Sequence, residues 1–448
     1  MTDTIYALAS APGPAGVAVV RVSGPKAFES LLSLSDPLPL PDPRQSSLRR
    51  LRNPSTGSVI DEAVVLRFAQ PHSFTGEDVV EYHIHGGRAV LDALMKTLAS
   101  FEGHRMATGG EFTRRGFENG RMDLTAAEAI ADLIAAETEA QREQALAQMG
   151  GSLTRIYDGW AQRLTKTLAH LEAEIDFPDE GLPDDVATKV KPVIRQVAFE
   201  IQQHIHDGRR GEILREGVRI AVVGAPNAGK SSLVNALAQR DVAIVSDMPG
   251  TTRDIIEVHL NLGGYPVILA DTAGLRPDQI GHSGHDRIEQ EGMRRAMHYA
   301  QTADIVLLLF DGAGLPSLDP HTLKLVDERS VAYATKADIA RAAPRVRGES
   351  LPLLSVATGD GIDRLIKDLS RRVADAVGAT DRPYLTRARH REALEQTLIS
   401  LARADDAMLP ELIAEDVRLA LRSIGRITGR VDVEDLLDII FRDFCIGK

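Results

Sequence analysis

One segment constrains the centre of this 448-residue chain: the strand-like VRIAVVG runs into Gly224 to Ser231, GAPNAGKS, which opens the helical SSLVNALA. Strand, GxxxxGKS loop and helix in that order build a phosphate cradle. The loop glycines let main-chain N–H groups converge on phosphate oxygens, Lys230 neutralises the β and γ phosphates, and Ser231 can supply an oxygen to Mg²⁺. Asn227, Ala228, Gly229 and Ser232 complete the nucleotide-facing run. Such a loop needs a sheet behind it. From about 218 to 376 apolar strands alternate with helical segments, in VRIAVVG, DIIEVHLNL, PVILADTAG, DIVLLLFDG, VAYATKAD and LPLLSV. That alternation predicts a mainly parallel sheet covered on both faces, a Ras-like α/β P-loop domain.

Two later strings choose the base. DTAG, with Asp271, Thr272, Ala273 and Gly274, follows a strand and sets Asp271 to assist the metal shell and Gly274 beside the γ phosphate. TKAD ends another strand, and a carboxylate at Asp338 can accept from guanine N1–H and its exocyclic amine, a donor pair that adenine lacks. Asp338 therefore selects GTP. Lys336 keeps the usual Asn-Lys-x-Asp pattern, but Thr335 replaces its asparagine and loses the amide's separate donor and acceptor, a change of about 1 kcal/mol. Ser355, Val356 and Ala357, in SVATGDG, fit a loop closing over the base.

Hydrolysis also needs a positioned water and compensation for charge on the transferring phosphate. Leu275 follows DTAG, where many small GTPases carry a water-positioning glutamine, and an aliphatic side chain cannot take that part. The acidic residues downstream are Asp278, Asp286, Glu289 and Glu291. Spacing alone does not choose among them, and each also suits a solvated surface.

The remainder exceeds one hydrophobic core, since roughly 100 to 200 residues per domain predicts two to four domains. Residues 1–118 hold short β-rich runs such as GVAVVRVSG and DVVEYHIHGG with one helical stretch, AVLDALMKTLAS, and read as a compact α+β domain. From 119 to 216 helical periodicity takes over. Leu124, Ile130, Leu133, Ile134 and Leu146 fall near one face, Thr125 and Glu128 have capping-box spacing, and Trp160, Leu164, Leu168, Leu171 and Ile175 form a second run. Helical sequence returns over 377–448. The economical arrangement is one helical domain made from two chain segments, 119–216 and 377–448, with the 217–376 domain inserted between them.

No apolar run reaches the ~18 residues of a membrane span, and MTDTIYALASAPGPAG lacks a secretory pattern, so a cytoplasmic protein without a membrane partner is expected. The lone Cys445 agrees with a reducing compartment. CIGK mimics the spacing of a prenylation box, but Gly447 and Lys448 do not suit it. A net charge of −12 opposes indiscriminate polyanion binding, so an RNA partner needs local basic patches. The candidates are Arg49, Arg50 and Arg52, then Arg209 and Arg210, then Arg387, Arg389 and Arg391; each run also suits a solvated surface.

GAPNAGKSSLVNALA, DMPGTTRD and DTAGLR share the chain with PGPAGVAVVRVSG, SFTGEDVVE and HGG in the first domain, EFTRRGFENGRMDLTAAEAIADLI and DFPDE in the helical region, and a terminal FCIGK. Together these strings resemble the MnmE (TrmE) family of tRNA uridine modification GTPases over the whole chain, FCIGK being the most selective. The resemblance implies a homodimer formed through the first domains, a 5-formyltetrahydrofolate or related folate bound there, and the flavoprotein MnmG as partner. The pair would install an aminomethyl or carboxymethylaminomethyl group at C5 of the wobble uridine of certain tRNAs. Carried over by motif, Arg21 in VVRVSG, Glu81 in DVVE, Arg121 in NGRMDL and Lys448 would contact the folate. Arg121 stands where a lysine often occurs, which keeps the charge but changes donor geometry. Without the resemblance, Arg21 and Glu81 read as a strand-edge ion pair and Cys445 as a small packed side chain.

The same resemblance implies that Asn227, Ser246, Met248 through its carbonyl, and Thr251 hold K⁺, and that Ser231 and Thr252 hold Mg²⁺. Asp247, Pro249 and Gly250 lie in the same GTP-facing segment. Neutral oxygens of this kind suit a hard cation. Glu289 aligns with the glutamate that orients the attacking water through a bridging water; the insertion QIGHSGHD leaves Glu291 as the alternative. A ribosome-assembly GTPase switch would share GTTRD and DTAG, but the chain has no KH-type GxxG loop and no second GTPase. A nucleotide-regulated scaffold would differ by binding no small molecule in its flanks.

Overall fold

The computed structural model describes residues 3–36, 39–176, 186–240, 242–244, 256–271, 299–314, 318–340, 343–378, 384–431, 433, 437–438, 440–441, 444 and 447, the side chains of 36, 186–188, 256 and 271 excepted. The chain forms two compact units. One comprises Met1–Ala131, Met149–Phe177 and Glu411–Lys448, and the other Asp132–Gln148 and Pro178–Pro410.

In the first unit β1 (Thr4–Leu8), β2 (Ala15–Ser23), β3 (Ser35–Asp36), β4 (Ser47–Arg52), β5 (Val59–Phe68), β6 (Val79–Gly86) and β7 (His104–Met106) make one sheet in the order β3-β4-β5-β6-β2-β1-β7. All pairs are antiparallel except β1 with β7. The two-residue period of a strand divides its faces. Val20, Val22, Val80, Tyr82 and Ile84 enter a core with Leu31 and Leu34 of the helix Ala27–Leu34 and Leu94 and Leu98 of Arg88–Ala99. Arg21, Glu81 and His83 alternate with them and take the other face.

A buried arginine fastens the helix Glu111–Glu118 to this sheet. The Arg115 guanidinium is wholly inaccessible and donates to Glu77 at 3.1 Å, Asp3 Oδ1 at 3.0 Å and Glu111 Oε1 at 3.2 Å. Glu77 also accepts from the Ser23 hydroxyl at 2.7 Å. Burial opposes charge on Glu111, but hydrogen bonds from Arg105 and the Thr108 N–H, with the charges of Arg105 and Arg115, hold its pKa down to about 2. A depressed carboxylate pKa stabilises the fold above the usual 4.5 and ceases to do so as pH falls towards 2. Thermal melts followed by circular dichroism should therefore drop through that window in the wild type and less steeply in Glu111→Gln; parallel acid limbs would contradict this.

Asp123 accepts from the Ala126 N–H at 2.8 Å and caps the helix Leu124–Ala135. The expected cap, Thr125, lies inside that helix. The single apolar face expected from Leu124 to Leu146 also fails: the segment is two helices, Leu124–Ala135 and Glu139–Met149, and Ile134 and Leu146 are 47% and 36% exposed. The break is closed by the Gln141 side-chain oxygen, which accepts from the N–H groups of Glu137 and Thr138 at 2.9 and 3.1 Å. In Ser152–Asp176, by contrast, Trp160, Leu164 and Leu171 are buried as the periodicity predicts.

The second unit contains β8 (Val218–Gly224), β9 (Ile256–Leu262), β10 (Tyr265–Asp271), β11 (Ile305–Asp311) and β12 (Ser330–Thr335), ordered β12-β11-β8-β10-β9. β8 is central and parallel to both neighbours, β10 and β11; only β9 is antiparallel. Alternate residues of β8 enter different cores, Ile220 and Val222 in one and Ala221 and Val223 in the other, so the sheet is covered on both faces. β8 lies between β10 and β11, and the crevice beyond the carboxyl ends of such strands is where these sheets bind ligands.

Candidate functional site

The phosphate loop leaves that end of β8. A side chain on Gly224 would stand 2.4 Å from the Leu309 carbonyl, so only glycine lets the loop turn so tightly past β11. Asn227 holds φ +63°, a left-handed conformation that asparagine tolerates better than most residues, and the adjoining turn is closed by Ala228 N–H to the Ala225 carbonyl at 3.1 Å. Gly229 caps the helix Lys230–Ala238, whose first N–H groups are available to an anion. Lys230 Nζ donates to the Gly224 and Ala225 carbonyls at 2.8 and 2.9 Å, which aims the ammonium across the loop. Ala228 is buried in the core, whereas Asn227, Ser231 and Ser232 are exposed.

The residues expected to read the base are stapled together. Ser355, buried, donates its hydroxyl to Asp338 Oδ1 at 2.6 Å, and Ala337 N–H donates to the Leu354 carbonyl at 3.0 Å. Asp338 itself is exposed, and its other oxygen has no hydrogen-bond partner among the described residues. Lys336, at φ +56°, pairs with Asp311 at 2.6 Å. Thr335 is buried, and its hydroxyl donates to the Phe310 carbonyl at 3.2 Å, so that group serves the sheet. Its side chain stands 3.9 Å from the Cβ position of Gly229, joining the base strand to the phosphate loop by packing. Val356 is half-buried and Ala357 exposed beside them.

A second constellation lies on the face of the first unit's sheet opposite the helices Ala27–Leu34 and Arg88–Ala99. Register places Arg21 opposite Glu81, and Arg21 Nε donates to Glu81 Oε1 at 3.0 Å. The pair is 15% and 16% exposed, so it is neither a surface bridge nor sealed. Beneath the guanidinium lie the rings of Phe74 and Phe112, with centroids 5.2 and 5.7 Å away. Arg121 Nε donates to the Ser73 carbonyl at 3.2 Å, so Arg21 and Arg121 converge on the Ser73–Phe74 segment. His83 Nε2 approaches Glu81 Oε2 at 3.7 Å. The two phenylalanines, in SFTGE and EFTRR, and His83, in YHIHGG, are additions that motif and spacing do not single out. Gly447 adopts φ +96° with its Cβ position only 2.1 Å from the Leu8 carbonyl, and Leu8 pairs with Val20, next to Arg21.

Ser246, Asp247, Met248, Pro249, Gly250, Thr251, Thr252, Thr272, Ala273, Gly274, Leu275, Glu289, Glu291, Cys445 and Lys448 lie outside the described residues, as does the side chain of Asp271.

The family model for the MnmE helical domain matches residues 124–445, and that for the GTP-binding protein TrmE N-terminus matches residues 4–121. The chain belongs to the MnmE family of tRNA modification GTPases. It is 51% identical to the tRNA modification GTPase MnmE of Parvibaculum lavamentivorans, with all of both chains covered (100% each). It is also 51% identical to that of Rhodospirillum rubrum, with 100% of this chain and 99% of the relative covered. The solved G domain of the T. maritima FeoB iron transporter covers 36% of this chain and 99% of that one at 23% identity and a TM-score of 0.25, too slight a likeness to carry an argument. Within the MnmE family frame the expected architecture stands: an α+β TrmE-type first domain, helical segments, and a P-loop α/β G domain. No described helix is long and apolar enough to cross a membrane.

Proposed function

We propose that this chain is a K⁺-dependent, cytoplasmic GTPase that works with the flavoprotein MnmG to install an aminomethyl or carboxymethylaminomethyl group at C5 of the wobble uridine of certain tRNAs, drawing the carbon from a folate. The observation that carries the modifying half is the Arg21–Glu81 pair above Phe74 and Phe112. Paired donor and acceptor groups beside apolar rings suit a heteroaromatic ligand with both hydrogen-bonding senses, as a folate has. A folate bound there supplies the one-carbon unit. Arg21, Glu81, Arg121 and Lys448 orient it, and residues 1–118 form the domain that pairs with a second copy in the homodimer. Residues 119–216 and 377–448 make the helical domain, and 217–376 the G domain.

In the G domain Lys230 holds phosphate oxygens, Ser231 and Thr252 face Mg²⁺, and Asp338 with its Ser355 staple reads guanine. Asp271, Thr272, Ala273 and Gly274 line the γ phosphate, and Glu289 positions the water. The exposed Asn227 amide, held at a left-handed loop position, fits a neutral-oxygen ligand for K⁺ together with Ser246, Met248 and Thr251. Potassium supplies positive charge beside the phosphates, the part an arginine finger plays in other GTPases. Turnover measured in K⁺ and Na⁺ at matched ionic strength tests this reading. The wild type should be faster in K⁺ by about tenfold or more, the scale on which a single charge-stabilising group acts, and Asn227→Ala should lose the difference. Equal rates for the wild type in the two salts would contradict it.

A further inference from the structure

The three arginine runs that the sequence offers to an RNA are not equivalent in the fold. In the first, Arg49 is buried with its Nε on the Ser47 hydroxyl at 2.9 Å, Arg50 pairs with Glu62, and Arg52 donates to the Gly57 carbonyl. In the third, Arg387 pairs with Asp132 at 2.7 Å and Arg391 with Glu212 at 2.9 Å. Those charges are already neutralised or engaged. Arg209 and Arg210, on the helix Val186–Glu216, are exposed and form no ion pair among the described residues.

They line a cleft of about 330 Å³ within the second unit, between that helix and the segments leading into β11 and β12. This is near the lower end of small-ligand site volumes. Arg329 and His206 are further basic side chains on its wall. Arg329 is held rigidly by the Gln301 and Ala303 carbonyls at 3.2 and 3.1 Å and by Asp327 at 2.9 Å. Among the described residues the only acidic side chain in the lining is Asp304, and one of its oxygens accepts the Arg219 N–H at 3.0 Å. Two guanidiniums outside any described ion pair, beside a third that is fixed, make a local cationic cleft on a chain of net charge −12. Planar, five-donor guanidiniums bind phosphate oxygens in pairs. Because Arg209 and Arg210 are exposed, the anion they suit is part of a larger molecule that lies over the surface.

We propose that this cleft receives a backbone phosphate of the RNA on which the protein acts. The inference rests on the tRNA reading above. The test is fluorescence anisotropy of labelled, unmodified tRNA carrying a wobble uridine, titrated with the full chain over a series of salt concentrations. The Arg209→Gln/Arg210→Gln double variant should bind at least tenfold more weakly and show a salt slope smaller by about 1 to 2, because each arginine that no longer meets a phosphate leaves nearly one more counterion on the RNA. Arg209→Gln alone should show about half of the slope change, and Arg50→Gln none. Melts by circular dichroism establish that the variants are folded. Unchanged tRNA affinity and slope in the folded double variant would overturn the inference, as would loss of inorganic phosphate binding with tRNA binding intact. A wild type without tRNA affinity would overturn the functional reading and the inference with it.

Discussion

Asp338→Asn should reverse nucleotide preference from GTP towards XTP. The guanine N1–H and exocyclic amine both need an acceptor, and an amide offers an N–H group in place of one carboxylate oxygen. Hydrogen bonds to a charged partner contribute about 1.5–3 kcal/mol each. Losing one of the two, and the charge behind the other, therefore weakens GTP by at least about 10 to 10², at 1.4 kcal/mol per tenfold. Xanthine carries a carbonyl at C2, which can accept from the new amide. The Ser355 hydroxyl can still donate to the remaining oxygen at position 338, so the staple at 2.6 Å persists and the change stays confined to the base. Competition between the two nucleotides measures the effect. A variant that keeps the wild-type preference would remove Asp338 from base recognition.

Gly447→Val should abolish wobble modification while GTP turnover of the isolated chain stays near the wild-type level. At φ +96° a β-branched residue is strained, and its Cβ would fall 2.1 Å from the Leu8 carbonyl and 3.0 Å from the Ala9 Cα. The terminus must leave its seat beside β1. Leu8 is registered with Val20, so whatever the terminus contributes is withdrawn from the neighbourhood of Arg21 and Glu81. Misplacement of a reacting partner by about 1 Å already costs on the order of 10²-fold. Complementation of cells lacking the chain, read by mass spectrometry of tRNA nucleosides, measures the outcome. Full modification by the variant would contradict a working role for the docked terminus.

The nucleotide half of the molecule is legible because its chemistry is local. Gly224, Gly229 and Lys230 lie within seven residues, and the strand, loop and helix that position them are contiguous in sequence. Asp338 is equally plain at the end of an apolar strand. Its staple is less so, since Ser355 lies seventeen residues away and becomes a partner only when the two segments pack. Thr335 shows the limit of reading a side chain by its inventory. It keeps one hydroxyl where the usual pattern has an amide, and the sheet takes that hydroxyl through the Phe310 carbonyl.

The Arg21–Glu81 constellation is harder to see because it is assembled by register. Arg21 and Glu81 meet across sixty residues through the pairing of β2 with β6. Phe74 and Phe112 reach the guanidinium from a loop and a helix, and no periodicity marks them. The long helical segment departs from expectation for another reason. Apolar spacing from Leu124 to Leu146 fits one long helix, but it carries no information about the Gln141 side chain that closes the break after Ala135. Likewise three arginine runs look alike in sequence, and only their partners in the fold, Glu62 across a strand pair and Asp132 and Glu212 far along the chain, tell the engaged runs from Arg209 and Arg210.

The central claim joins GTP hydrolysis to covalent change at a tRNA wobble position. It is tested most directly by mass spectrometry of wobble nucleosides in tRNA from cells deleted for this chain, with and without the wild type restored. The account predicts unmodified uridine in the deletion and the aminomethyl or carboxymethylaminomethyl nucleoside on restoration. Normal modification of the wobble uridine in the deleted cells would contradict it.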